Sequence, residues 1–307
     1  MKSPEIIFFM GKGGTGKSTV SALAGVTFAQ EGKRVMVVSL DSAHNLSDIF
    51  KIKLSDKPVK MDSNLFAREV DQEKIIQRYL KNTRDSLKRT YSYLTAFNLD
   101  GYFDILKYSP GLEEYALILA FQLSLEKYSD FDYLIFDMPP TALTLKFFNL
   151  PFLSKKWIEH LKTLRQEINK KKEIVSKVKF AGKEFTKDKI LSRINDMRDQ
   201  YERLETIFQD QKKTKIFVVL NDNSLAVVET KRILKELEKN SVFIQKIIWN
   251  RGKKDGSKVD SSFLPDSIVN LYLPDSKIEL TGFKALKNYI KINYLQSKAF
   301  SSKVTRK

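Results

Sequence analysis

One stretch near the start of the chain has the residue types and spacing to hold a run of phosphates. Gly11-Lys12-Gly13-Gly14-Thr15-Gly16-Lys17-Ser18 satisfies G-x-x-x-x-G-K-[ST], and Thr19 follows it. The glycines let a loop wrap its backbone N–H groups around phosphate oxygens, and the N-terminus of a following helix adds its positive end. In such a loop Lys17 reaches the β- and γ-phosphates of ATP and the Ser18 hydroxyl ligates Mg²⁺. The remaining binding positions are then Gly11, Gly13, Gly14, Thr15, Gly16 and Thr19. The chemistry this arrangement suits is phosphoryl transfer, where positioning and charge neutralisation supply most of the catalysis.

A phosphate loop works only between a strand and a helix. The apolar run Ile6–Met10 before it and the helical pattern of Val20, Leu23, Ala24 and Phe28 after it provide both. Four more apolar runs are expected to be buried strands: Val35–Leu40, Tyr133–Phe136, Ile216–Leu220 and Val242–Trp249. Helical patterns or long crossovers separate them, which predicts a mostly parallel sheet covered by helices on both faces. Ligands bind at the carboxyl ends of such strands. Three of the runs lead there into polar residues, Asp41, Asp137 and Asn250. Taken singly, either aspartate is by default a helix cap or a turn former; their placement after successive strands points instead to the phosphate site.

The stretches at these strand ends resemble the arsenical-pump ATPase family, which includes ATPases that deliver tail-anchored membrane proteins. Asp41-Ser42-Ala43-His44-Asn45-Leu46-Ser47-Asp48 is similar to its switch I, D-P-A-H-x-L-S-D. Asp137-Met138-Pro139-Pro140-Thr141-Ala142-Leu143-Thr144-Leu145 is similar to its switch II, D-T-A-P-T-G-H-T-L. Weaker matches are Tyr108-Ser109-Pro110-Gly111-Leu112-Glu113-Glu114, Glu229-Thr230-Lys231-Arg232, Asn250, Leu273-Pro274 and Thr281-Gly282, so the resemblance runs from about residue 5 to 290. It implies that Asp41 positions the attacking water, that Asp137 holds Mg²⁺ through water, and that Asn250 contacts adenine with Pro274 nearby. The loop also matches the deviant class G-K-G-G-x-G-K-[ST]. Membership there implies that Lys12 acts across a homodimer interface on the partner's nucleotide, by the logic of an arginine finger. His44 stands as a structural residue of switch I. The sequence departs from the family at Ser42, Met138, Pro139, Ala142 and Leu143. Loss of the switch II glycine is expected to stiffen that turn.

The whole chain is expected to be a single P-loop ATPase domain, 1–307. Within it, residues 151–212 form an inserted helical subdomain. Its apolar residues fall at Trp157, Leu161, Leu164, Ile168, Val175 and Val178, then at Ile194, Met197, Tyr201, Leu204 and Phe208. These spacings read as two amphipathic helices with a break near Ala181–Gly182. Residues 151–215 carry 18 Lys and Arg against 10 Asp and Glu. In the targeting branch of the family this subdomain holds a hydrophobic client; packing of the same stripe into the subdomain's own core accounts for it equally well.

Composition narrows the function classes. The chain has no cysteine, which excludes disulfides, Cys-ligated zinc and thiolate capture of arsenite, so an arsenite-pump subunit is disfavoured. No run is apolar enough to span a membrane, and a cytoplasmic protein is expected. The net charge of +17 leaves an anionic membrane surface or an acidic partner open, while no motif specific for nucleic acid is present. Phe283, Leu286, Tyr289 and Ile290, interleaved with Lys284, Lys287 and Lys291, could lie on a membrane or dock as a terminal helix. The alternative to a client-targeting ATPase is a partition- or cell-division-type ATPase that binds membrane or DNA; a third option is a module that holds ATP without turnover.

Overall fold

The apolar runs become strands of one sheet because each can bury both faces. The computed structural model describes residues 3–90, 106, 109–179, 188–252, 264–276, 278–293 and 299–300. Its strands are β1 (Glu5–Met10), β2 (Val35–Ser39), β3 (Val59–Lys60), β4 (Leu65–Glu69), β5 (Tyr133–Asp137), β6 (Thr214–Leu220), β7 (Lys246–Asn250) and β8 (Val269–Leu273). Their order is β3-β4-β2-β5-β1-β6-β7-β8. All neighbours pair in parallel except β3, which runs antiparallel to β4. This is the α/β P-loop NTPase architecture expected. β1 lies centrally, with β5 on one side and β6 on the other, so the chain reverses its winding direction beside the phosphate loop. That is where open parallel sheets leave a crevice.

The helices are α1 (Lys17–Gln30), α2 (Asn45–Phe50), α3 (Gln72–Thr90), α4 (Leu112–Lys127), α5 (Thr141–Lys179), α6 (Lys189–Gln209), α7 (Ser224–Glu238) and α8 (Phe283–Ile292). Alternation along β1 sends Ile6, Phe8 and Met10 into one core and Ile7 and Phe9 into the other. The first core is aromatic. Phe8 meets Phe148 at 5.1 Å and Phe121 at 5.5 Å between ring centroids, and Phe208 from α6 packs on Phe148 at 5.0 Å. The second core takes α1, α2 and α8, and α1 is apolar around most of its circumference because it is buried between sheet and α8.

Three departures from the sequence reading have local causes. The run Val242–Trp249 is a strand only from Lys246; Val242 and Ile244 are buried in the approach to it without pairing. β4 was hidden because its last residues, Arg68 and Glu69, are charged yet buried. β3 and β8 are an edge pair of two residues and an edge strand of mixed polarity, patterns too short or too polar to stand out.

The two helices expected after residue 151 are present, but the first begins at Thr141 and runs unbroken through Pro151. Phe147, Phe148 and Ile158 on α5, and Tyr201, Leu204 and Phe208 on α6, belong to the sheet's core. Farther out, Trp157, Leu164, Ile190 and Met197 are exposed, so the apolar stripe is not consumed by packing of the pair on itself. At its far end the pair is tied by Asp188, which caps α6 through Ile190 and Leu191 N–H (3.0 and 3.1 Å) and takes a two-pronged contact from Arg165 (2.9 and 3.0 Å). The break near Ala181–Gly182 and Tyr108 lie outside the described residues. α8 docks its apolar face: Leu286, Tyr289 and Ile290 are buried in the second core, which removes the surface a membrane would need.

Candidate functional site

The phosphate loop leaves β1 at Met10 and enters α1 at Lys17, and two glycines make that path feasible. Gly11 has φ 145°, and a Cβ there would stand 2.2 Å from the Val219 carbonyl oxygen on β6. Gly16 has φ 88°, and its Cβ would stand 2.3 Å from Asn250 Nδ2. The loop therefore passes flush against β6 and β7. Over Gly13 and Gly14 there is no atom within 4 Å of a Cβ, so the outer side of the loop is open. The Lys12 carbonyl closes the loop on itself, accepting from Thr15 N–H (3.4 Å), Thr15 Oγ1 (2.8 Å) and Lys17 Nζ (3.5 Å). α1 has no acidic residue in its first turn, so nothing in that turn neutralises the positive end of its dipole. Thr15, Lys17 and Ser18 are buried, whereas Lys12 is half-buried and its ammonium makes no hydrogen bond or ion pair among the described residues.

Parallel register brings the two aspartates to the same edge. Asp137 is paired with Phe9 on β1 and Ser39 on β2, and its carbonyl accepts from Leu40 N–H at 2.9 Å. Its side chain is fully buried, and neither carboxylate oxygen has a hydrogen-bond partner. Burial pushes its pKa up to about 7. The nearby Ser18 and Ser39 hydroxyls, although neither makes a hydrogen bond to it, and the Lys17 ammonium act against that rise, and the Asp41 carboxylate adds to it. A buried carboxylate without donors is costly unless a cation completes it. Hard oxygen donors such as the Ser18 hydroxyl and this carboxylate suit Mg²⁺, and the site residues fit that ion.

Asp41 lies two residues beyond β2. Its Oδ1 accepts from Ala43 N–H at 3.1 Å and its carbonyl from His44 N–H at 3.4 Å, so the carboxylate shapes the turn into α2. That turn is strained at both ends of α2: His44 has φ 52° and Lys51 has φ 54°, each in the left-handed region that costs a non-glycine residue about 1–2 kcal/mol. Outside contacts hold it. Glu69 accepts from Ser47 N–H (2.8 Å) and Ser47 Oγ (2.7 Å) and stands 3.4 Å from His44 Nδ1, and Gly282 N–H donates to Ile49 O at 2.6 Å.

A cavity of about 590 Å³ opens above the loop. Gly14, Gly16, Lys17, Ser18, Thr19, Asn250 and Pro274 line it, which unites most of the sequence-expected binding positions. Asn250 Nδ2 donates to the Thr15 carbonyl at 2.8 Å, so this residue also braces the loop. Asn221, with its amide turned to face the same carbonyl, donates at 3.2 Å to Thr15 O and to Asn250 O. Tyr289 on α8 fixes the far wall by donating to the Pro274 carbonyl at 2.6 Å. Lys12, Asp41 and Asp137 do not line the cavity, and both aspartates are buried. Asn45, Asp48 and Ile49 of α2, Arg251, Asp275, Ser276 and residues 278–281 do line it and were not assigned from sequence. Their only signal was their position inside or beside the switch I and Leu273-Pro274…Thr281-Gly282 stretches.

A family model described as anion-transporting ATPase matches residues 4–267. The chain is 27% identical to a putative arsenical pump-driving ATPase 2 from Aquifex aeolicus, over 94% of this chain and 98% of that protein. It is 29% identical to ATPase GET3A from Arabidopsis thaliana, over 94% and 83% of the two chains. With an ATPase ASNA1 homolog from Cryptosporidium parvum the identity is 30%, over 90% and 74%.

Proposed function

The chain belongs to the anion-transporting ATPase family and is an ATPase, and on that premise we propose that it hydrolyses ATP·Mg²⁺ as a homodimer and uses the cycle to move the helical subdomain at residues 151–212. The observation that carries the catalytic reading is Asp137, buried and unpartnered between the loop and β2. In this reading the loop N–H groups of Gly13 to Ser18 and the end of α1 receive the phosphates, and Lys17 reaches the β- and γ-phosphates. Ser18 and Asp137 would hold Mg²⁺, which would neutralise charge on the phosphate oxygens. Asp41 orients the attacking water. Phosphoryl transfer asks chiefly for orientation of that water, which a fixed carboxylate supplies. Lys12, from the partner, meets the developing charge. Asn250 spends its amide N–H on the loop and leaves its oxygen for the base, with Pro274 beside it.

For the use of the cycle, a hydrophobic membrane-protein client is favoured by the exposed Leu153, Trp157, Leu164 and Met197 on α5 and α6. The membrane- or DNA-binding alternative loses its best support, since the apolar face of α8 is buried. An arsenite pump has no thiolate to work with.

The test is a pair of variants. Lys17→Ala should abolish Mg²⁺-dependent ATP binding by calorimetry. Asp41→Asn should retain binding and lose roughly 10² to 10³ in kcat, the usual cost of one transition-state contact. A fall of less than about tenfold removes Asp41 from the catalytic role.

A further inference from the structure

The short helix α2 lacks an N-terminal cap of its own. Its N-cap residue, His44, is left-handed and makes no side-chain cap hydrogen bond. Six residues with strained ends do not hold a helix by themselves. Yet Asn45, Asp48 and Ile49 of this helix form one wall of the nucleotide cavity, and the turn before it carries Asp41.

The cap comes from another strand. Glu69, at the end of β4, is buried. Its Oε1 accepts from the Ser47 N–H at 2.8 Å, the orphan amide that an N-cap side chain would otherwise satisfy. Its Oε2 accepts from the Ser47 hydroxyl at 2.7 Å, and that hydroxyl in turn accepts from Leu54 N–H at 3.0 Å. The same Oε2 stands 3.4 Å from His44 Nδ1. Two further bonds reach the segment from this corner: Gln72 Nε2 donates to the Leu40 carbonyl at 2.9 Å, and Val70 N–H donates to Ser39 O at 3.0 Å. Asp41 is thus held from both sides by one corner of the molecule, the junction of β4 and α3.

We propose that Glu69 is a positioning residue for hydrolysis: by capping α2 from outside, it fixes the switch segment and with it the carboxylate of Asp41. The proposal rests on the reading that Asp41 orients water. Glu69 does not line the cavity. Its removal lets the turn at residues 41–44 relax, so the transition state loses more than the ground state does. The chief ground-state contacts, the loop and the start of α1, are anchored elsewhere by Asn250 and β6.

The experiment measures kcat, KM for ATP, ADP affinity and thermal midpoint for Glu69→Ala, Glu69→Gln, Ser47→Ala and the Ser47→Ala/Glu69→Ala double variant, with Asp41→Asn as reference. Glu69→Ala should lower kcat at least about tenfold while ADP affinity stays within about threefold. Glu69→Gln keeps an acceptor for the Ser47 N–H and should recover part of the loss. The double variant should be no slower than Glu69→Ala, because both act through one contact. Should Glu69→Ala fail to fold, Ser47→Ala and Glu69→Gln decide, each with kcat lowered and ADP affinity kept. Wild-type kcat in the folded Glu69 and Ser47 variants, with Asp41→Asn inactive, overturns the positioning role alone. A loss of ADP affinity equal to the loss of kcat also overturns it, since that marks general damage to the site. Full turnover in Asp41→Asn overturns the reading of Asp41 and the positioning role together.

Discussion

Asp137 carries most of the electrostatic interest at the level of single residues. Its pKa, pushed up to about 7 by burial, lies far above the ordinary carboxylate value of 3.8. Between those values the unfolded chain is ionised at this position while the folded chain keeps the proton. Folding without ligand therefore takes up a proton, and the contribution to stability falls as pH rises through that window. Mg²⁺ reverses the preference, because it favours the ionised form. Mg²⁺·ATP binding should thus release a proton from Asp137 below pH 7, with affinity falling by up to about tenfold per pH unit as pH is lowered. Calorimetry of wild type and Asp137→Asn in buffers of different ionisation enthalpy checks this. The asparagine variant should lose the proton release that belongs to this residue and bind Mg²⁺·ATP more weakly at pH 8. Equal proton release in both proteins assigns it elsewhere.

Elements show how tightly the site is built into the sheet. Gly16 sits at the N-cap of α1 with φ 88° and with Asn250 against it. Gly16→Ala adds about 1–2 kcal/mol of backbone strain and drives its Cβ into the amide that braces Thr15. ATP affinity should fall at least about tenfold, the equivalent of 1.4 kcal/mol, and the thermal midpoint should fall with it. Unchanged affinity means that the loop repacks freely. The α5–α6 pair is controlled from its far end by Asp188. The Arg165 guanidinium and the Asn169 amide hold that carboxyl well below the usual range. A depressed pKa contributes stability above the ordinary carboxylate value and loses it as pH falls through the folded one. Asp188→Ala should therefore speed amide hydrogen exchange in the first turn of α6 at neutral pH, with the difference from wild type shrinking in strong acid. A difference that persists unchanged in acid points to lost shape and not to lost charge.

The molecule as a whole carries a charge of +17, so association of two copies works against like-charge repulsion that salt screens. ATP bound between subunits stabilises a dimer by mass action. The homodimer should accordingly form with ATP analogue, and weaken without nucleotide at low salt, in light scattering. Mixing Lys12→Ala with Asp41→Asn chains tests the trans assignment. Each heterodimer then contains one site with its own Asp41 and the partner's Lys12. Activity on mixing should exceed that of either variant alone by about tenfold or more. No recovery in a verified heterodimer places Lys12 in its own subunit's site or outside the chemistry.

The phosphate loop, the strands that lead to Asp41 and Asp137, and the parallel α/β fold were legible because each is a local signal. A glycine spacing, an apolar run and a helical period need only neighbours in sequence. Seven of the positions expected from the loop motif and the family resemblance line one cavity, because parallel strands present their carboxyl ends together. What tertiary structure decided depends on residues far apart in the chain. Glu69 caps a helix that starts 24 residues before it, and its charge disguised the strand that delivers it. The burial that shifts Asp137 is set by the strands on either side, not by its own segment. Trp157 and Leu286 are both apolar positions on amphipathic helices, yet one is exposed and the other buried. Periodicity names a face, but only the surface it meets determines whether that face is covered.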